Sequence, residues 1–198
     1  MNDTVFPKGY DVSTYLGGLR NYRSLVKQLY QRAEPAPEHV TALRRGLAAQ
    51  VQPVRATIMT EDWCGDSAAN LPIIARLAEA AGVELRVFRG SEVAELKHYY
   101  EGAGVTHIPV VSLWDGEWRE IARWVEAPAV VDRKKTAWKD AHPEFMRLYS
   151  ERDHDKQAAK QFAELYRTFL DEMVRWYEGG HWRETTRELV EALPASVG

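Results

Sequence analysis

Cys64 is the one cysteine among 198 residues, and it stands in the segment Thr60-Glu61-Asp62-Trp63-Cys64-Gly65-Asp66-Ser67. A sulfur nucleophile reacts as its thiolate, and an ordinary thiol of pKa about 8.5 is only about 3% ionised at pH 7. Unpaired backbone N–H groups and the positive end of a helix dipole raise that fraction. A pKa lowered to about 7 corresponds to about 2 kcal/mol of preference for the thiolate. Ser67 stands three residues on, where a dithiol motif would carry its second sulfur. It can donate a hydrogen bond to a Cys64 thiolate, but it cannot attack a disulfide. The chemistry on offer is therefore that of a single thiol, or none. Asp62 and Asp66 act against a further negative charge nearby, and Asp66 equally reads as an ordinary first-turn acid. Trp63 is placed to cover one side of the sulfur.

The elements that must position this segment are legible on either side of it. Val54 to Met59 is strand-like, and Ala68 to Ala81 is helical in pattern, with Pro72 near its first turns and Gly82 as a stop. The thiol is therefore expected at a strand-to-helix turn. Apolar spacing predicts a helix near 12–32, ended by Glu34-Pro35-Ala36-Pro37, and a second over 37–49. Val83 to Phe88 alternates like a strand, and Glu92 to Glu101 reads as a short helix. Pro109 to Trp114 and Trp118 to Val125 flank the turn Asp115-Gly116 and predict a β-hairpin. Residues 40–126 thus read α-β-α-β-α-β-β, an α/β domain with a central mixed sheet.

After Pro128 the composition shifts. Asp132 to Asp155 is rich in charge, with Pro143 opening a short helix. Phe162, Leu165, Tyr166, Phe169, Leu170, Met173, Val174 and Tyr177 share one helical face, Gly179-Gly180 ends that helix, and a last helix runs from Trp182 to Leu193. Three segments are expected: an N-terminal helical extension over 1–36, a domain over 37–128, and a C-terminal helical extension over 129–198 packed on that domain.

Composition excludes several classes. A formal net charge of −3 gives no electrostatic case for nucleic acid. No apolar run reaches the roughly 18 residues a membrane span needs. Met1 to Gly18 has neither a basic n-region nor an apolar h-region, so no secretory signal is expected. One cysteine allows no intramolecular disulfide, which fits a reducing compartment, with cytoplasm as the expectation. His98, His142, His154 and His181 lack metal-ligand spacing, so no zinc site is expected.

Trp63-Cys64-Gly65-Asp66-Ser67 resembles the Trp-Cys-Gly-Pro-Cys active site of thioredoxins. Pro72, eight residues past the cysteine, matches the proline that kinks the thioredoxin active-site helix. Thr106-His107-Ile108-Pro109 looks like the segment that carries the family's cis-proline. The match covers roughly residues 40–126, and the whole chain is similar to thioredoxin-like bacterial proteins with a Glu-Asp-Trp-Cys-x-Asp signature and an added helical C-terminus. The resemblance implies a thioredoxin-like α/β fold with helical extensions at both ends. It also implies that Ile108 and a cis Pro109 present backbone to an extended substrate, with His107 close by. Ser67 replaces the resolving cysteine and Asp66 the proline inside the motif. Ile58 stands where the family carries a buried acid, six residues before the nucleophile. Loss of both the second sulfur and its acid is internally consistent.

Two functions follow as expectations. In one, a monothiol thiol–disulfide oxidoreductase, Cys64 attacks disulfides of proteins or low-molecular-weight thiols, Ser67 assists, and Trp63, Gly65, Asp66, Ile108 and Pro109 support the site. An external thiol such as glutathione then resolves the intermediate, and no cofactor is bound. In the other, the chain is a binding or scaffold protein that keeps the frame without redox turnover.

Overall fold

The computed structural model describes residues 1–194, which form two compact units: Met1–Ala127 together with the chain from Trp182, and Pro128–His181. The first unit contains α1 (Val12–Gly18), α2 (Arg23–Arg32), α3 (Pro37–Ala48), β1 (Arg55–Thr60) and α4 (Gly65–Ala81). β2 (Glu84–Arg89), α5 (Ala94–Gly102), β3 (Val110–Trp114) and β4 (Glu120–Val125) follow in the same unit.

The strands make one mixed sheet of order β2-β1-β3-β4, with β1 parallel to β2 and antiparallel to β3. Alternation along each strand divides two cores. Ile58, Val87 and Val111 belong to a core with Leu71, Ile74, Leu77 and Leu43 from the helices, while Met59, Phe88, Val110 and Trp114 pack with Leu96 and Tyr100 of α5. Neighbouring side chains of a strand point to opposite faces, which is why single-residue steps change core. α4 is buried along most of its length, so its Ala, Leu and Ile content is all-round core rather than one stripe. Gly82, at φ 75°, ends it in the left-handed region that a side chain would disfavour.

The helix expected near 12–32 is two. The chain breaks between Gly18 and Arg23, with Tyr22 at φ 53°. Apolar spacing survives the break because Leu16, Leu19 and Val26 all reach the same core. The N-terminal segment is woven into the first unit across the boundary expected at residue 36: Tyr10 bridges Val87 beside β2, and Tyr15, Leu16 and Ala33 lie in the sheet's core.

The last helix, α9 (Trp182–Glu191), also belongs to the first unit. Trp182 Nε1 donates to the Ala69 carbonyl at 2.8 Å, Thr185 Oγ1 to Asn70 Oδ1 at 2.8 Å, and Trp124 Nε1 to Glu188 at 3.0 Å. Trp182 meets α4 three residues before Pro72, which has no N–H for the helix ladder.

The second unit holds α6 (Ala129–Ala141), α7 (Glu144–Glu151) and α8 (Lys156–Trp176). Its centre is aromatic: the Trp138 ring lies 4.7 Å from that of Phe169 and 5.6 Å from that of Phe145. α6 was not expected within the charged stretch. Its buried face is Val131, Lys135 and Trp138, and Lys135, paired with Asp132 at 3.2 Å, reads as polar in the sequence although its stem is buried. Among the described residues, no helix is long and apolar enough to cross a membrane.

Candidate functional site

Cys64 is the residue that caps α4. Its backbone is extended (φ −79°, ψ 118°), the chain having just left β1, and its Sγ accepts from the Ser67 amide at 3.5 Å. This satisfies one of the amides a helix start leaves unpaired. On its other side the thiol donates to the Ile108 carbonyl at 3.5 Å. The Ile108–Pro109 peptide is cis, and the Pro109 carbonyl accepts from the Glu126 amide at 2.7 Å just past the end of β4. The structure thus brings Cys64, Ser67, Ile108 and Pro109 together at one end of the sheet.

Gly65 is the first residue of α4, and Asp66 follows in its first turn. Trp63 is 62% exposed, so most of its ring faces solvent. His107 is exposed and engages Thr106 Oγ1 at 3.0 Å. Ile58 is fully buried in the sheet's hydrophobic core.

The sulfur sits at the helix junction, yet it is not freely offered. Cys64 is 7% exposed. Burial is the largest influence on its thiol and pushes it above the ordinary value. The Ser67 hydroxyl acts in the opposite direction, Asp66 adds to the rise, and the Ser67 and Asp66 amides oppose it. Helix-start placement alone leads one to expect a net lowering, and desolvation reverses the sign.

Ser67 is 3% exposed, and its Oγ has no hydrogen-bond partner among the described residues. That hydroxyl nonetheless lies close enough to the sulfur to favour the thiolate. The two facts agree if the hydroxyl idles beside a protonated Cys64, whose own proton goes to Ile108, and donates once the thiol ionises.

Asp62 does not behave as expected either. It is buried, and its Oδ1 accepts from Arg89 Nε at 2.8 Å while its Oδ2 accepts from the Arg20 amide at 3.0 Å. Burial would raise its carboxyl, but the bonds from Arg89 and Arg20 outweigh that and hold it below the ordinary range. Arg89 also donates to the Gly18 carbonyl at 3.1 Å and lies 4.9 Å from the ring centres of Tyr10 and Tyr15. The acid whose charge raises the Cys64 thiol is Asp66. Glu61 holds Ser91, accepting from its amide and its hydroxyl. The two acids before Trp63-Cys64 therefore tie the turn to the end of β2 and to the α1–α2 connection.

Sequence reasoning missed Arg89, Tyr15 and Arg20. A signal existed for Arg89: it ends a strand paired in register with the strand whose last residue, Thr60, leads into the acids. A small cavity of about 10 Å³, room for one water at most, is lined by Tyr15, Leu19, Asp62, Cys64, Ser67 and neighbours. Among the described residues no group of three or more His, Cys, Asp or Glu could hold a metal ion.

A thioredoxin family model matches residues 9–139. The chain belongs to the thioredoxin family. Two solved structures are similar to it in fold. An HIV epitope-scaffold is 17% identical with a TM-score of 0.61, covering 96% of this chain and 94% of its own. A Pseudomonas aeruginosa protein of unknown function is 18% identical with a TM-score of 0.57, covering 95% and 93%. No curated protein matches. This thioredoxin-family chain departs from the dithiol pattern at Ser67 and at Ile58, and its site retains the helix-capping sulfur and the cis-proline loop.

Proposed function

We propose that this protein is a monothiol thiol–disulfide oxidoreductase. The Cys64 thiolate attacks one sulfur of a mixed disulfide, a new Cys64 disulfide forms, and the departing thiolate leaves with the broken bond's electron pair. An external thiol, a low-molecular-weight one of the glutathione kind, then attacks that disulfide and restores Cys64. No bound cofactor is required. The substrates are disulfides of proteins or small thiols, and a reducing bacterial cytoplasm is the setting that fits a one-cysteine chain.

The observation that carries this reading is the seat of the sulfur, 3.5 Å from both the Ser67 amide and the Ile108 carbonyl at the start of α4. Ser67 supplies a second donor to the thiolate without competing as a nucleophile. The raised thiol makes the enzyme slow at neutral pH and faster in alkali. A thiolate of higher pKa is also intrinsically the stronger nucleophile, which offsets part of its scarcity.

The same burial favours a second reading, a binding protein that keeps the frame and has no redox turnover. The two separate in one experiment. Incubation with oxidised glutathione at pH 8, followed by intact mass measurement, gives one glutathionyl adduct on wild type and none on Cys64→Ser if exchange occurs. A wild-type chain that stays unmodified while folded supports the binding protein and removes the enzyme.

A further inference from the structure

We propose that Asp62 and Arg89 are positioning residues whose mutual charge cancellation sets how readily Cys64 ionises. Asp62 lies two residues before Cys64, so their Cα atoms are at most about 7.6 Å apart, and both side chains line the same small cavity with Ser67. The Arg89 and Asp62 side chains are 5% and 6% exposed, with nitrogen and oxygen 2.8 Å apart. So deep a pair is weakly screened by solvent and salt. While intact it presents little net charge to the sulfur. Removal of either member leaves the other's buried charge only partly offset, Arg89 by the part-exposed Glu92 at 3.6 Å and Asp62 by the largely exposed Arg20 at 3.9 Å.

Purely structural staples need not be charged, because a neutral amide could accept from the Arg20 amide and the Tyr15 hydroxyl as Asp62 does. The other groups around the sulfur do not duplicate the pair. Asp66 in the first turn of α4 carries a charge that opposes the thiolate, and Ser67 beside it favours it. Glu61 is committed to Ser91. From α1, Tyr15 is hydrogen-bonded to Asp62, and burial holds its hydroxyl protonated far above neutrality. Arg20, between α1 and α2, is largely exposed, pairs with Glu92 at 3.2 Å and lies 3.9 Å from Asp62, while Glu92 also lies 3.6 Å from Arg89. His107, in the loop that supplies the Ile108 carbonyl, is exposed.

The inference deepens the exchange reading by naming what governs the nucleophile. Its test reads the thiol alone, so either can fail without the other. Iodoacetamide alkylation of Cys64 is followed against pH for wild type, Asp62→Asn, Arg89→Gln and the double variant. Asp62→Asn leaves the guanidinium with only the part-exposed Glu92 against it and should speed labelling at pH 7 about threefold or more. Arg89→Gln leaves the carboxylate with only the largely exposed Arg20 against it and should slow it by a similar factor. The double variant should return to within about twofold of wild type.

Mere loosening of the turn would expose the thiol and speed both single variants, so rates moving in the same direction, or not at all, overturn the proposal. Should circular dichroism show Arg89→Gln unfolded, Asp62→Asn is set against Asp62→Glu in low and high salt. A faster Asn variant whose gain largely persists in high salt, beside a Glu variant at the wild-type rate, sustains the proposal. A gain abolished by high salt, or shared by Asp62→Glu, rejects it.

Discussion

The sheet carries two buried polar groups of opposite character. On the α5 side, Trp114 Nε1 donates to Thr57 Oγ1 at 2.9 Å, and Thr57 and Tyr100 hydroxyls lie 3.4 Å apart. Tyr100 reaches Ser112 at 2.7 Å, and Ser112 donates to Glu120, which also receives Arg123 and the Tyr99 hydroxyl. Each hydroxyl in that chain can accept from one neighbour and donate to the next. At the start of α4, by contrast, a buried serine hydroxyl lies idle and a buried thiol is held by two long contacts. A saturated network has nothing left to offer a substrate, and its value is in specifying the fold. An unsaturated one retains a donor for a charge that appears only during reaction.

Four substitutions or conditions press on this contrast. Trp114→Ala empties a fully buried site and removes the first donor of the chain. Chemical denaturation should report a loss of about 3–5 kcal/mol, and Cys64 alkylation of the folded fraction should keep its wild-type pH midpoint. Tyr100→Phe breaks the chain at its centre at little change in volume. A loss of about 1 kcal/mol is expected, again with the thiol midpoint unmoved. A shifted midpoint in either variant would mean that the two networks are coupled.

Ser67→Ala should do the reverse. Its hydroxyl gives up no hydrogen bond, so stability should change by less than about 0.5 kcal/mol, while alkylation at pH 7 slows several-fold. If Ser67→Ala costs as much as Tyr100→Phe and leaves the thiol alone, the serine is structural. The smallest effect concerns pH. Burial raises the folded thiol above its unfolded value, so the folded state holds that proton more tightly. The resulting stability is complete below about pH 8.5 and is lost as pH rises through the folded value. Melting temperatures of wild type and Cys64→Ala should therefore diverge only in alkali, with wild type falling faster.

What could be read in advance followed how local the determinants are. The β1–α4 junction was legible because strand alternation, a cap residue and Pro72 all lie within twenty residues of Cys64. The hairpin was legible from Asp115-Gly116. The break at 19–22 was hidden because apolar spacing is kept through it, and α6 was hidden because Lys135 lends its stem to a buried face. The sign of the Cys64 shift was out of reach for a different reason. It depends on how far Tyr15, Leu19 and Val26, from elements around forty residues away, close over the sulfur's surroundings. The helix-start amide could be anticipated there, whereas burial could not.

The sharpest test of a lone, capped sulfur as the working group is turnover. Release of glutathione from a glutathionylated protein is followed at pH 8 in excess glutathione, with wild type, Ser67→Ala and Cys64→Ser compared at equal concentration. Catalysed release by wild type, weaker release by Ser67→Ala and background release by Cys64→Ser is the expected order. Wild type and Cys64→Ser releasing at the same rate would contradict it.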